Sequence, residues 1–289
     1  MVDRVKAAIP RARRVQLVIS ALLLGTVGCQ PTAAVHVPQS PVAGLVTKAN
    51  AAVSPVPEIS APPSSAGSTG EAAPTVVLDP GHNGGNESAP AEVNKLVPQG
   101  SGLYKACDTT GTNTGDGYPE HEFNFQVALL VKSMLEQHGI TVLLTRVTDS
   151  GIGPCVDRRA AIADDAHAAA AVSIHGDGNL TGHGFQIIEA EHSAGGVSND
   201  ALSLKLAEAL HKTFLSQSGL TPSTYAGEDG YESRNDLAGL NLSTVPKILV
   251  ECGNMRDSGD AALMESSAGR QRIAQAIADG ILAYLGRAN

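Results

Sequence analysis

The sequence predicts an α/β fold, with a single domain over residues 75–289 whose twisted, largely parallel central sheet is flanked by helices. Two observations predict this class. Short apolar runs bounded by Gly or Pro are typical of strands buried on both faces, and longer amphipathic segments alternate with them. Such alternation is typical of parallel strands joined by helical connections. A chain of 289 residues is also long enough to bury a substantial core.

The first half of the domain contains three predicted strands and two predicted helices. Residues 75–79 are a β-branched run that ends at Pro-Gly, which predicts the first strand. Residues 123–138 predict an amphipathic helix, because their apolar residues follow the helical period and a Gly comes next. A strand at 140–145, a helix at 156–165 and a strand at 170–174 complete this half.

The second half continues the alternation of strands and helices. A strand is predicted at 184–190, a long helix at 199–217, a strand at 247–251 and a closing helical region at 259–285. Residues 83–119 do not fit this alternation, because they are rich in Gly, Asn and Thr and lack a strong hydrophobic period. Long segments of this kind in compact domains are commonly functional, so we predict a surface loop near a site, which would gate access if it covers that site.

The first 29 residues have the organisation of a secretory signal peptide. Basic residues precede the apolar run 15–24, which is too short for a transmembrane helix of roughly 20 residues. Cys29 follows Val-Gly and resembles the cleavage site of a bacterial lipoprotein, where the cysteine is acylated. Thr26, however, stands where such sites prefer Leu. Export to the periplasm or cell envelope is therefore predicted, and lipid anchoring through Cys29 and simple secretion stay open as alternatives.

Composition separates a linker from an acidic domain. Residues 30–74 are rich in Pro, Ala, Ser and Val and predict a disordered linker. Residues 75–289 hold 14 of the 20 Lys and Arg residues and 26 of the 29 Asp and Glu residues, a net charge of −12. A nucleic-acid partner is excluded, because phosphates require a basic surface. We expect a monomer.

Candidate catalytic side chains follow the predicted strands and precede the first helix. His82, His175 and Glu251 lie at strand ends, which meet at one edge of a parallel sheet, and Glu120 lies just before the helix. Two imidazoles and one carboxylate are a catalytic zinc set, and a second carboxylate would complete a hydrolase. Each residue has an ordinary alternative. The histidines could be loop residues, Glu120 or Glu122 could favour the helix N-terminus, and a structural Arg could pair with Glu251.

The motifs occur in one order along the chain: Asp-Pro-Gly-His at 79–82, Glu-His-Glu-Phe-Asn at 120–124, Ser-Ile-His at 173–175 and Val-Glu-Cys-Gly at 250–253. Together they resemble the zinc-dependent N-acetylmuramoyl-L-alanine amidases of the amidase type 3 family, of the short single-domain type. The resemblance covers essentially all of residues 75–289.

The resemblance implies a function and a set of roles. It implies one Zn²⁺ per chain held by His82, Glu120 and His175, and hydrolysis of the amide between N-acetylmuramic acid and L-alanine in peptidoglycan or muropeptide fragments. Glu251 would carry the proton from the attacking water to the leaving amine. A ligand imidazole also needs an acceptor for its second nitrogen, for which Asp79 and Asp177 are candidates. Further candidate substrate contacts are Arg234 and Asn254. The alternative function is a peptidoglycan-binding lipoprotein on the same fold that does not cut its ligand.

The cysteines fit an exported protein. Of the four, Cys29 falls at the export site, and Cys107 and Cys155 lie in polar loop segments. Outside the cytoplasm two such thiols tend to pair, so we predict a Cys107–Cys155 disulfide, with two free thiols as the alternative. Cys252 is expected to be a small buried hydrophobe, not a nucleophile.

Overall fold

The computed structural model describes residues 73–288. The central sheet has six strands in the order β4-β1-β5-β8-β6-β7, and a separate hairpin pairs β2 with β3. The strands are β1 (Thr75–Pro80), β2 (Leu96–Gly100), β3 (Leu103–Ala106), β4 (Thr141–Leu144), β5 (Ala170–Asp177), β6 (Gln186–Ala190), β7 (Tyr231–Arg234) and β8 (Lys247–Asn254).

Helices cover both faces of this sheet. They are α1 (Pro90–Val93), α2 (Glu120–Gln137), α3 (Val156–Asp165), α4 (Gly196–Thr213), α5 (Ala238–Asn241), α6 (Ser258–Glu265) and α7 (Ser267–Tyr284), with a π turn at Phe214–Ser218. Helices α2, α4 and α7 pack together on one face, and α3 and α5 lie against the other. Because side chains alternate along a strand, Leu78 joins Phe123 in the larger core while Val77 packs with Ala163 on the opposite face.

The predicted fold class is confirmed. In the central sheet, strands β4, β1, β5 and β8 run parallel to one another, β6 is parallel to β7, and the β6–β8 pair is antiparallel. The parallel order brings the carboxyl ends of β1, β5 and β8 side by side. In the β5–β8 ladder His175 lies opposite Glu251, so the sheet register itself places two candidate site residues next to each other.

Three predicted helices differ in their bounds. The helix expected at 199–217 runs from Gly196 to Thr213 and continues as the π turn at Phe214–Ser218. The helix expected at 123–138 begins at Glu120, because Pro119 has extended geometry before it and Glu120 and Glu122 favour the positive N-terminus. The closing helical region divides into α6 and α7 at Ser266, whose extended backbone ends one helix while its side chain caps the next by accepting a hydrogen bond from the Gly269 N–H.

The sequence prediction missed the short elements: helix α1, the β2–β3 hairpin, strand β7 and helix α5. The predicted loop 83–119 contains the hairpin, whose Leu96, Leu103 and Tyr104 are exposed. Its strands therefore lack the apolar alternation of a half-buried strand. The hairpin turns at Ser101 and Gly102, both with positive φ, as in the tight turns that connect antiparallel strands.

The predicted Cys107–Cys155 disulfide is present, with a Cα–Cα distance of 4.5 Å. It joins the segment after β3 to the N-terminus of α3. The signal peptide predicted at 1–29, including Cys29, lies outside the described residues, as does the linker up to residue 72. Within residues 73–288, no helix is both long enough and apolar enough to cross a membrane.

Candidate metal centre

The two candidate histidine ligands meet beside Gly81. His82 follows β1 with a left-handed backbone (φ 58°), a conformation that is rare for a side-chain-bearing residue and is concentrated at functional sites. His175 lies near the end of the neighbouring strand β5, and its ring packs directly on Gly81. A Cβ at Gly81 would lie only 2.0 Å from Cε1 of His175, so this close approach requires Gly.

Glu120 completes a three-residue cluster. Its Oε1 lies 3.0 Å from Nδ1 of His175 and 3.2 Å from Nε2 of His82. One ligand atom from each of the three residues lies within 4.8 Å of the other two. The buried carboxylate is held in place because the backbone N–H of Thr112 donates to Oε2 and the amide of Asn124 donates to Oε1.

The charges of this cluster favour a cation. Burial opposes ionisation of Glu120, but His82 and His175 outweigh it and hold the pKa of Glu120 well below its ordinary value. Burial likewise opposes protonation of His82, yet Glu120 and Asp108 raise its pKa to about 10. The electrostatic field therefore stabilises positive charge between the three side chains, whether a proton or a metal ion carries it.

Glu251 is the second carboxylate of the site. Its Oε2 is buried without a hydrogen-bond partner among the described residues. Burial, together with the charges of Glu120 and Asp177, raises the pKa of Glu251 well above its ordinary value. Perturbed carboxylates in clefts are typical of catalytic sites. A cavity of about 250 Å³ opens beside this group and is bordered by His82, His175 and Glu251 at the site.

Neither residue proposed from the sequence as the imidazole acceptor performs that role. Asp79 accepts from Nζ of Lys247 and Nη1 of Arg159, each at 3.0 Å. Asp177 accepts from the Gln186 amide instead. The acceptor for the second nitrogen of His82 is Asp108, whose Oδ1 lies 3.0 Å from Nδ1.

The three consecutive residues that open α2 point to different partners. Glu120 enters the cluster, whereas His121 pairs with Asp149 at 2.8 Å and Glu122 accepts a hydrogen bond from Gln126. Of the two acids considered from the sequence, the structure therefore brings Glu120 to the histidines, and Glu122 lies outside the cluster.

The donor set fits zinc. Two imidazole nitrogens and one carboxylate oxygen are the ligand types of three-ligand catalytic zinc sites. Oε2 of Glu251 is a further buried oxygen next to the cluster, and it has no partner in the described part of the chain, which is energetically costly. These residues together can hold a metal ion and place a proton acceptor beside it.

Comparison with known proteins agrees with this geometry. Residues 76–283 match the family model described as N-acetylmuramoyl-L-alanine amidase, Amidase_3. The chain belongs to this family. N-acetylmuramoyl-L-alanine amidase Rv3717 from Mycobacterium tuberculosis is a relative with 40% identity over 211 residues, which are 73% of this chain and 86% of that protein.

Solved structures of the family have the same fold. The crystal structure of the N-acetylmuramyl-L-alanine amidase Ami1 from Mycobacterium smegmatis is 42% identical, with a TM-score of 0.70 over 75% of this chain and all but 1% of that one. The apo form of the N-acetylmuramyl-L-alanine amidase Ami1 from Mycobacterium abscessus is 44% identical, also with a TM-score of 0.70. The match spans 74% of this chain and 100% of the Ami1 chain.

The two weaker substrate-contact candidates have different surroundings. Arg234 lies on β7 and pairs with Asp236 at 2.7 Å. The positive charge of Arg234 partly offsets the rise in the pKa of Glu251, so Arg234 is within electrostatic reach of the site. Asn254 is buried, and its amide donates to backbone carbonyls of Asn179 and Gly182. That arrangement favours a structural role for Asn254 over substrate contact.

Cys252 is fully buried in the core, and burial raises the pKa of its thiol well above the ordinary value. It therefore has the environment of a small hydrophobe, as expected from the sequence. The functional residues that sequence reasoning missed lie at 108–112, in the predicted loop. Their one sequence signal is the neighbouring Cys107, which marks this segment as covalently held.

Proposed function

We propose that this chain is a zinc-dependent N-acetylmuramoyl-L-alanine amidase, which hydrolyses the amide between the lactyl group of N-acetylmuramic acid and L-alanine. One Zn²⁺ would be held by His82, Glu120 and His175. The observation that carries the proposal is the buried Oε2 of Glu251, which has no hydrogen-bond partner within residues 73–288 and lies beside these three ligands. The expected partner is peptidoglycan or its muropeptide fragments, during cell-wall remodelling or fragment recycling.

Each side chain has a defined task in this reaction. Zinc, when bound, supplies Lewis acidity that lowers the pKa of water and polarises the amide carbonyl. Glu251 accepts the proton of the attacking water and delivers it to the nitrogen of the departing L-alanine. Its raised pKa suits this task, because the carboxyl group must hold the proton between the two transfers.

A non-catalytic peptidoglycan-binding protein on the same fold is the second candidate. Such a protein would need the cavity but would have no use for Glu251. Oε2 of Glu251 is buried and meets no donor among the described residues; such an atom destabilises a fold, and a chain that only binds its ligand gains nothing in return. Glu251 therefore favours the enzyme over the binding protein.

The test is Glu251→Gln, which keeps the shape of the side chain and removes its proton affinity. We expect zinc content and muropeptide binding to remain while kcat for muramoyl-peptide hydrolysis falls about 10²-fold to 10⁴-fold, the usual effect of losing an acid–base group. Glu189→Gln is a matched control, because Glu189 is a half-buried Glu of the same sheet with a raised pKa and lies near Glu208. Unchanged hydrolysis by the Glu251→Gln enzyme would contradict the mechanism.

The cellular setting is also a proposal. The basic and apolar N-terminal segment supports export to the cell envelope, and Cys29 supports a lipid anchor from which residues 30–74 extend to the catalytic domain. The enzyme would act there as a monomer.

A further inference from the structure

We propose that Asp108 is a positioning residue for His82 and that the Cys107–Cys155 disulfide holds Asp108 in place. The inference rests on the proposed zinc site, since it concerns how one of the three ligands is prepared for the metal. It assigns a role in metal binding to residues that lie outside the ligand set.

The contacts of His82 determine which ring nitrogen carries the hydrogen. Nδ1 lies 3.0 Å from Oδ1 of Asp108 and 3.1 Å from the backbone carbonyl of Thr109. Both of these groups accept hydrogen bonds, so Nδ1 carries a hydrogen. Nε2 faces Glu120 at 3.2 Å, so a metal ion that displaces the proton between them would bind Nε2 while Nδ1–H stays with Asp108.

Asp108 is itself held rigidly. It is buried, its Oδ1 accepts a hydrogen bond from the Thr109 N–H at 2.7 Å, and its Oδ2 accepts one from Nη2 of Arg159 at 3.3 Å. The same guanidinium donates to the backbone carbonyl of His82 at 3.1 Å and to Asp79 at 3.0 Å. Arg159 therefore binds the positioning carboxylate and the backbone of the ligand at once, which sets their separation.

The disulfide joins the backbones on which this arrangement depends. Cys107 immediately precedes Asp108, and Cys155 precedes α3, the helix that carries Arg159. The backbone N–H of Val156 also donates to the carbonyl of Cys107 at 2.8 Å. Reducing the disulfide would remove the covalent link between the segment that presents Asp108 and the helix that presents its guanidinium partner.

The segment after Asp108 also contacts the carboxylate ligand. The Thr112 N–H donates to Oε2 of Glu120 at 2.9 Å, and a Cβ at Gly111 would lie 2.8 Å from the same oxygen. Gly111 has φ +75°, so both its backbone conformation and this close approach require Gly. Displacement of residues 108–112 would therefore disturb two of the three proposed ligands.

The first measurement is zinc affinity by chelator competition on the purified protein. We expect Asp108→Ala to weaken binding about 10-fold to 100-fold, as is usual for an outer-shell partner, and Asp108→Asn to weaken it less, because Asn keeps an acceptor oxygen. Asp149→Ala is the matched control: Asp149 makes the same type of contact with His121, outside the cluster, and its loss should leave zinc affinity unchanged. Wild-type affinity in Asp108→Ala would overturn the proposal.

A second readout separates positioning from general stability. NMR of the protein at saturating zinc, with His82 assigned through a His82→Gln variant, should show an Nδ1–H proton protected from exchange in the wild type and loss of that protection in Asp108→Ala. A merely structural role would lower Tm and leave that protection unchanged, which would count against us. If the wild type binds no zinc, the proposed function fails; if the wild type binds zinc and Asp108→Ala keeps both the affinity and the protected proton, only the role of Asp108 fails.

The disulfide is tested by replacing both cysteines with Ser. We expect Cys107→Ser/Cys155→Ser to lose zinc affinity in the same direction as Asp108→Ala but by a smaller factor, because Arg159 still binds Asp108. Treatment of the wild type with a reductant should reproduce the effect and leave the double variant unaffected. Unchanged affinity in the double variant would remove the disulfide from the proposal.

Discussion

At the residue scale, the first turn of α2 decides which carboxylate reaches the metal centre. Glu120, His121 and Glu122 are consecutive, and successive helical residues point about 100° apart. Glu120 consequently meets the two histidines, while His121 pairs with Asp149. The amino-acid pattern alone leaves the two acids equivalent, because either suits the helix N-terminus. The helix start at Glu120 removes that ambiguity.

This difference gives a paired test. Glu120→Gln should lose zinc affinity by more than the roughly 100-fold seen for outer-shell partners, because it removes a ligand oxygen's charge, and hydrolysis should fall with it. Glu122→Gln should keep both, since Glu122 accepts a hydrogen bond from Gln126 and lies outside the cluster. Chelator competition and muramoyl-peptide hydrolysis measure the two effects. Loss of zinc in Glu122→Gln with retention in Glu120→Gln would reverse the assignment.

The sequence predicts the four side chains of the site but not the hydrogen-bond acceptor of His82. The motifs predicted His82, Glu120, His175 and Glu251, and the structure brings these four side chains together. The acceptor for His82 could not be predicted, because Asp108 is 26 residues away in a segment without a periodic pattern.

Asp79 was an equally reasonable candidate from the sequence, since it lies close to His82 in the chain. Its side chain instead forms ion pairs with the buried side chains of Lys247 and Arg159. Burial alone would raise the pKa of Asp79, but Lys247 and Arg159 hold it well below the ordinary value. Lys247 lies far along the chain on β8, so only the folded sheet shows that this partner is present.

At the element scale, five of the six strands of the central sheet were predictable, whereas strand β7 and the hairpin were not. β1, β5 and β8 are buried apolar runs that end at the site, and hydrophobic patterning identifies such strands directly. The hairpin has no such pattern, because its side chains are largely exposed. It is held by single polar contacts between distant segments, such as the Asn241 amide that donates to the carbonyl of Gln99.

The structure also changes how gating by the 83–119 loop can be tested. Deleting the whole loop would remove Asp108 and Thr112, which hold two proposed zinc ligands, so activity would be lost whether or not the loop gates the site. The hairpin can be shortened without removing Asp108 or Thr112. Lys105 on β3 lines the same cavity as Glu251, so the hairpin contributes to the cavity wall.

We expect replacement of residues 98–104 by Asn-Gly to raise activity on intact sacculi relative to small muropeptides. Asn-Gly suits a two-residue turn between Val97 and Lys105, which already pair across the hairpin. The measurement is the ratio of kcat/KM on the two substrates. Tyr104→Ser is the control, because it changes the exposed apolar surface without changing hairpin length. Equal losses on both substrates would show that the hairpin does not limit access.

At the scale of the whole molecule, charge and tethering must be considered together. Residues 75–289 carry a net charge of −12, so electrostatic attraction cannot retain the domain at an anionic surface. An enzyme of the cell envelope then needs another means of retention. Acylation of Cys29 would provide it, because each lipid CH₂ buried in a bilayer contributes about 0.8 kcal/mol, and residues 30–74 would let the domain reach its substrate.

The anchor is tested by cell fractionation and incorporation of labelled fatty acid. We expect the wild-type chain in the membrane fraction with label attached. Cys29→Ser should lose the label and leave the membrane fraction, while kcat of the purified domain stays unchanged, because Cys29 is not part of residues 75–289. Thr26→Leu, which improves the match to lipoprotein cleavage sites, should keep or increase labelling. An unlabelled wild-type chain recovered outside the membrane fraction would establish simple secretion, and retention at the cell wall would then have to come from substrate binding alone.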